Sequence, residues 1–257
     1  MKARSKLNIF LKITGLDARG YHLLNSRFIL LDEPYDELYF SDEKQKAGFE
    51  ILSDFNCEDN IIQKAYDLLC LKGFKNELEE FFRQKSLVLI KNIPLGAGLG
   101  GSSTDGAAFL RLINEELNLK LDANTLIQWG KTLGSDVAFF LSGYASANVS
   151  GCGEVVEGFD DALPCLELFS PEFFCKTGAV YAEFDAQISQ RGFDFETNAK
   201  AATFYAKLRS EELLNFKNSD LNDLFAPCAR LYPKMQEFLA RGFFLSGSGS
   251  SVFRRGS

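Results

Sequence analysis

"NIPLGAGLGGSSTDGAAFLRL" runs from Asn92 to Leu112. Its five glycines and two serines follow a strand-like run, "SLVLIKNIP" (86–94). They lead into "STDGAAFLRLINEELNL" (103–119), where Phe109, Leu110, Ile113 and Leu117 share one helical face. Loops of this kind let backbone N–H groups come close to a ligand, and the usual ligand is phosphate. Several phosphate-binding designs share the look. Gly96, Gly98 and Gly101 satisfy the G-x-G-x-x-G of a dinucleotide site. That design needs a strand after the helix, whereas "LDANTLIQWGKTL" reads as another helix. Gly96 and Gly101 also have P-loop spacing, but Ser102 stands where the phosphate-binding lysine belongs. A plain strand-to-helix turn needs fewer glycines.

The rest of the chain narrows the classes. With 257 residues, 46% of them hydrophobic, it can bury an ample core. A net charge of −7 without a Lys/Arg cluster argues against a nucleic-acid partner. No apolar run reaches the roughly 18 residues of a membrane span. Lys6, Asn8 and Lys12 interrupt the opening segment, so no secretory leader is expected and the cytoplasm is the expected location. Six scattered cysteines (57, 70, 152, 165, 175, 228) without a C-x-x-C pair read as free thiols of a reducing compartment. The single histidine, His22, argues against a His-based triad or a multi-histidine zinc site. Proton transfer therefore falls to Asp, Glu or Lys.

Strands are expected over 6–14 and 26–40, joined by a loop around Gly20, and again over 49–55 and 86–94. Helices are expected over 59–73, from about Ser103, over 122–134 and in the short run 135–143. Beyond Gly151 the pattern is mixed, with helices around 199–216 and 231–240 and a closing strand–loop–strand, "GFFLSGSGSSVF". Small-residue density suggests a domain change near 145–155, which gives domains of 1–148 and 149–257.

A third design fits the glycine loop. "PLGAGLGGSSTDGAA" closely resembles the P-x-x-x-G-L-(G/S)-x-S-S loop of the GHMP kinases. Further segments are similar to one subfamily, which acts on a polyol with a cytidine diphosphate handle in non-mevalonate isoprenoid biosynthesis. These are "SKLNIFLKI", "GYHLLNSRFILLD", "LGSDVAFFLSG", "GCGE", "KTGAVY", "LNDLF" and "SGSGSSVF", and they span residues 5 to 253. Ser102 replaces a usual third glycine, Thr104–Asp105 stand where Ala or Ser–Asn/Asp is common, and Ala138 replaces a proline. None of these departures removes a charged catalytic group.

The resemblance implies an α+β, two-domain GHMP-kinase fold. It would comprise an N-terminal ribosomal-S5-domain-2-like ATP domain and a C-terminal ferredoxin-like domain, with the active site in the cleft between them. The implied chemistry is ATP- and Mg²⁺-dependent phosphorylation of a small-molecule alcohol, with no membrane and no obligate protein partner. For ATP it implies Pro94, Gly96, Gly98, Leu99, Gly100, Gly101, Ser102, Ser103 and Thr104, with Ser103 or Thr104 open to magnesium, and Asn60 and Lys91 near the adenine. Asn60 reads equally well as a helix N-cap.

Asp136 opens a short helix, where an acidic residue is favoured on electrostatic grounds alone. By resemblance it is the base for the substrate hydroxyl, with Lys6 beside it, although a strand lysine is by default exposed. Asn8 shares Lys6's face of the strand and is a natural partner of the same substrate. Tyr21 can stack on cytosine and His22 can hydrogen-bond its Watson–Crick edge. Thr177 and Tyr181 are expected on the far side of the substrate, and Gly247, Ser248 and Gly249 beside its diphosphate, although "SGSGSS" is equally a hairpin turn. Kinases of mevalonate, homoserine or sugars, and a non-catalytic GHMP-fold binding protein, are the alternatives. Tyr21–His22 speaks against the first group and the pair Lys6 and Asp136 against the second.

Overall fold

The computed structural model of the protein describes residues 1–55 and 60–256. Cys57, and Asp59 at the start of an expected helix, lie outside these. In chain order the elements are β1 (Lys2–Leu16), β2 (His22–Ser41), β3 (Ile51–Leu52), α1 (Ile61–Leu69), α2 (Lys75–Phe81), β4 (Ser86–Ile90), α3 (Gly101–Glu116), α4 (Ala123–Gly130), α5 (Val137–Ser142), β5 (Ser146–Gly151), β6 (Val155–Gly158), β7 (Leu166–Phe169), α6 (Thr177–Arg191), α7 (Phe195–Tyr205), α8 (Ser210–Leu213), α9 (Asn218–Leu221), α10 (Phe225–Leu231), α11 (Pro233–Ala240), β8 (Phe244–Leu245) and β9 (Val252–Arg255). Among the described residues no helix is long and apolar enough to cross a membrane.

Four expectations change. The strand over 49–55 shrinks to β3. The helix over 59–73 ends at Leu69 and passes through a π-helical turn, Cys70–Phe74. There Gly73 takes φ 102°, and α2 follows where no helix was expected. The helix around 199–216 is two, α7 and α8. The fourth change is α6, fifteen residues over a stretch that carried no helix expectation.

The chain divides into two compact units, each assembled from separate segments. The first comprises Met1–Ser5, Leu31–Ile93 and Gly100–Gly143. Here residues 37–41 of β2 pair antiparallel with β4, and β3 pairs parallel with β4 on its other side. α1 packs on α3, which packs on α5, and α4 packs on α5. Phe109 of α3 is fully buried, as the helical periodicity requires. Phe49 stacks on Tyr66 at 4.2 Å between ring centroids and meets Phe82 edge-on. Asn60 and Asp122 cap α1 and α4 through Ile62 N and Thr125 N.

The second unit comprises Lys6–Leu30, Pro94–Leu99 and Tyr144–Ser257. Residues 24–29 of β2 pair antiparallel with β5, and β5 with β6. A separate antiparallel sheet has the order β7-β9-β8. Its core gathers Leu11, Ile13, Val180, Phe184, Leu224, Met235, Leu245 and Val252 around the buried thiols of Cys175 and Cys228.

One buried charge pair ties this unit together. Arg27 and Asp161 are both fully enclosed, with Nη1 3.2 Å from Oδ2. Arg27 also donates to Asn148 Oδ1 and Ala206 O, and its guanidinium lies 3.4 Å from the Phe159 ring centroid. Ser146 and Ser210 donate to the same carboxylate. Removing one partner of such a pair strands the other charge in the interior. Asp161→Ala should therefore lower unfolding stability by roughly 3–5 kcal/mol. Chemical denaturation measures this, and a loss under about 1 kcal/mol would contradict the network, since that is the worth of an exposed pair.

Candidate active site

In the second unit, three segments distant in sequence meet backbone to backbone. β1 supplies Lys6 N, which donates to Leu99 O at 2.9 Å. The closing glycine loop supplies Ser251 N, which donates to Ala97 O at 3.0 Å, while Ser246 Oγ donates to Gly98 O at 3.3 Å. At Gly98 (φ 75°) a Cβ would stand 2.6 Å from Ser246 O and 3.1 Å from Gly249 O. No other residue fits that approach. Asn222 braces the closing loop, its buried amide donating to both Leu245 O and Gly247 O at 2.9 Å. The "LNDLF" segment thus has a concrete task.

Lys6 is 4% exposed, contrary to the default for a strand lysine. Its Nζ donates to Asn8 Oδ1 at 2.7 Å and lies 4.4 Å from the Phe28 ring centroid. Asn8 in turn donates through its amide to Ser26 Oγ at 2.9 Å, and Ser26 donates to Phe10 O. Asn8 therefore orients the ammonium of Lys6. Its Oδ1 also lies 3.3 Å from where a Gly247 Cβ would be, which sets it beside the closing loop.

His22, Tyr181 and Thr177 also gather in this unit. The His22 and Tyr181 rings are 4.8 Å apart at 38°, and Phe184 meets His22 edge-on at 5.7 Å. Thr177 Oγ1 and Ser248 Oγ are 2.9 Å apart. Tyr21 is 62% exposed, with the Arg19 guanidinium 5.0 Å from its ring centroid. The turn before it is built by Asp17, whose Oδ1 accepts from Arg19 N and Tyr21 N. The Arg19 side chain, then the Tyr21 N–H, hold the Asp17 carboxyl below its ordinary range. The sequence reading missed Asp17, although an Asp three residues before a glycine is a recognisable turn signal.

In the first unit, Gly100 (φ 74°) is the N-cap of α3 and offers no side-chain cap. The first N–H groups of the helix, from Gly101 to Ser103, have no intrahelical acceptor. Ser102 is exposed and Ser103 half-buried, while Thr104 is buried at 3% exposure. Ser103 Oγ lies 3.7 Å from where a Gly134 Cβ would be, against the loop that leads to Asp136. Asp136 is half-buried and makes no cap bond to α5, so capping does not explain it. Asn60 does cap its helix, Oδ1 accepting from Ile62 N at 2.9 Å. It also lines a cavity of about 430 Å³ with Phe49, Ile51, Phe55 and Gln63.

Lys91, expected near the adenine, is held in a buried triad of charged groups. Its ammonium bonds Asp36, and Asp105 Oδ2 at 2.6 Å. Asp36 Oδ1 accepts from Asn92 N at 2.6 Å and Ile93 N at 2.8 Å. The triad thus joins β2, the entry to the glycine loop and the second turn of α3. Burial pushes the Asp105 carboxyl up to about 7, the Lys91 ammonium opposes that, and Asp36 adds to it. Asp105 is 4% exposed and its Oδ1 is unpaired among the described residues. Sequence reading missed Asp36 as the hub. Asp36 is one of three acidic residues in "EPYDELYF", so no local signal singled it out.

A strand, a glycine loop without a capping side chain, and a helix starting at the loop's end are common to several classes of phosphate-binding fold, and the relatives of this chain identify the class as that of the GHMP kinases. Residues 60–144 match the family described as GHMP kinases N terminal domain. The 4-diphosphocytidyl-2-C-methyl-D-erythritol kinase of Campylobacter jejuni subsp. doylei is 59% identical, the match covering 99% of each chain. That of Sulfurimonas denitrificans is 40% identical over 98% of this chain and 95% of its own. A crystal structure titled 4-(cytidine 5'-diphospho)-2C-methyl-D-erythritol kinase superposes with a TM-score of 0.73 at 27% identity, over 100% of this chain and 90% of that one. A homoserine kinase from Cytophaga hutchinsonii shares the fold at TM-score 0.62 and 19% identity, over 97% and 84% of the two chains. The chain belongs to the 4-diphosphocytidyl-2-C-methyl-D-erythritol kinase family of GHMP kinases.

The raised Asp105 carboxyl makes a pH prediction. The folded state keeps a proton that the unfolded chain releases near 3.8, so stability falls as pH rises from there to about 7. Asp105→Asn imitates the neutral acid and removes that loss. The melting temperature of Asp105→Asn minus that of wild type should therefore increase between about pH 5 and about pH 8. A constant or decreasing difference would show that Asp105 is an ordinary ionised carboxylate.

Proposed function

We propose that the protein transfers the γ-phosphoryl group of ATP to the 2-hydroxyl of 4-diphosphocytidyl-2-C-methyl-D-erythritol. The observation that carries the proposal is the full-length identity to kinases named for that substrate. The placement of the expected residues supports it.

The N-terminus of α3 is suited to the phosphates. Backbone N–H groups of its first turn and the positive end of a sixteen-residue helix favour an anion there, and no side chain occupies the cap. The cavity beside Asn60 has the size and mixed lining for an adenine. Ser103 fits magnesium better than Thr104, whose side chain is buried. Magnesium, bound through Ser103 and the phosphates, would neutralise charge on the transferred group.

Asp136 is proposed as the acceptor of the hydroxyl proton. Phosphoryl transfer passes through a loose transition state, so the alcohol loses its proton late and a carboxylate of ordinary basicity is adequate. Lys6, oriented by Asn8, is proposed to stabilise the developing alkoxide. Tyr21 and His22 are proposed to hold the cytosine, with Thr177, Tyr181 and the closing loop along the remainder of the substrate. Those contacts are remote from the chemistry, and their binding energy positions the hydroxyl. The likeness to enzymes of soluble metabolites agrees with a cytoplasmic location.

A coupled ADP-release assay across the cytidine-linked substrate, mevalonate, homoserine and galactose tests the reading. Turnover should require the cytidine-linked substrate, and equal or greater turnover of another alcohol would overturn it. Asp136→Asn should lower kcat roughly 10²-fold or more while ATP binding stays close to wild type. A kcat within a few-fold of wild type would remove Asp136 as the base.

A further inference from the structure

Helix α6 was not expected from sequence, and one of its faces has residues in functional positions. Thr177, Tyr181 and Asp185 recur at intervals of four, so they lie along one stripe of the helix. Thr177 touches Ser248 of the closing glycine loop. Tyr181 lies against the His22 ring. Asp185 Oδ1 is 2.8 Å from His22 Nε2. The Asp185 side chain is 49% exposed and that of His22 13%. At that exposure the pair adds little to stability, so its consequence lies in what it does to the imidazole.

A carboxylate only accepts hydrogen bonds, so the His22 nitrogen facing it must carry a hydrogen. That removes the tautomer with its proton on Nδ1 alone. Nδ1 becomes the ring nitrogen available to a ligand, and in the neutral ring it is an acceptor. Tyr181 and Phe184 hold the ring plane from two directions. Cytosine offers such an acceptor its 4-amino group, whereas uracil has a carbonyl oxygen at that corner.

We propose that Asp185 is a positioning residue for base recognition, which fixes the His22 tautomer and makes the protein prefer cytidine over uridine diphosphate. The inference rests on the reading of Tyr21–His22 as the base-binding segment. Without Asp185 the imidazole regains the tautomer that presents an N–H at Nδ1. Cytosine then loses its acceptor, and uracil gains a donor for its carbonyl.

Calorimetric binding of CDP, UDP and inorganic pyrophosphate to wild type, His22→Ala, Asp185→Ala and Asp185→Asn tests this. Wild type should bind CDP about tenfold or more tightly than UDP, the worth of one well-placed hydrogen bond. Asp185→Ala should weaken CDP about tenfold and leave UDP unchanged or tighter, so that the preference collapses. Asp185→Asn keeps a carbonyl oxygen that can accept from Nε2–H, and should recover part of the preference. In turnover, Asp185→Ala should raise KM for the cytidine substrate and spare both kcat and KM for ATP. If Asp185→Ala keeps the CDP preference while His22→Ala loses it, this inference fails and the base-binding reading stands. If wild type binds CDP no more tightly than pyrophosphate, both fail.

Discussion

The arrangement depends on one close approach. Two glycine loops, separated by about half the chain, touch backbone to backbone because Gly98 has no Cβ to hold them apart. A methyl group there would fall well inside contact distance of a carbonyl oxygen that is itself anchored. That oxygen belongs to Ser246, in a loop held by Asn222 from below and by Ser251 across to Ala97. The loop cannot retreat without giving up several buried hydrogen bonds, each costly to leave unmade. The same stretch of chain, through Leu99 O, receives the backbone of Lys6. A contact between two turns therefore helps set the height of the lysine on β1.

Polar side chains complete what the backbone begins, and each unit has its own hub. In the second, Lys6, Asn8 and Ser26 form a relay that ends on a main-chain carbonyl and directs one donor of the ammonium to Asn8. In the first, Asp36 receives the two N–H groups at the entry to the glycine loop and is tied through Lys91 to Asp105 in α3. Three charged groups share this interior site, two of them acidic. The carboxyl that accepts no backbone N–H, Asp105, is the one whose proton is retained to near neutrality. The Asp36 hub thus fixes the approach of a loop, whereas the Asn8 hub orients a side chain.

Much of this was legible in the sequence. The strand–loop–helix around Gly98 could be read because glycine spacing and the change from strand to helical periodicity are local signals. The proximity of the closing loop to the first glycine loop could be anticipated only from resemblance, since nothing local in "SGSGSS" distinguishes a ligand loop from a hairpin. Lys91 shows the limit most clearly. From sequence, by resemblance, it is a residue near the adenine, and its engagement with Asp36 depends on a residue 55 positions earlier. Helix α6 was missed because "TGAVYAEFDAQISQR" buries only Val180 and Phe184 fully, too few for a clear periodicity. Asp185 could not be linked to His22 because the partners are 163 residues apart.

The interlock at Gly98 has a direct test. Gly98→Ala adds one methyl group and nothing else, at a backbone angle that alanine disfavours. Its melting temperature, together with kcat and KM for both substrates, should be compared with wild type. The account predicts a folded protein that melts several degrees lower, as expected for roughly 1–3 kcal/mol of strain, with kcat/KM reduced more than about tenfold. An alanine variant with the stability and kcat/KM of wild type would show that the two loops do not depend on this contact.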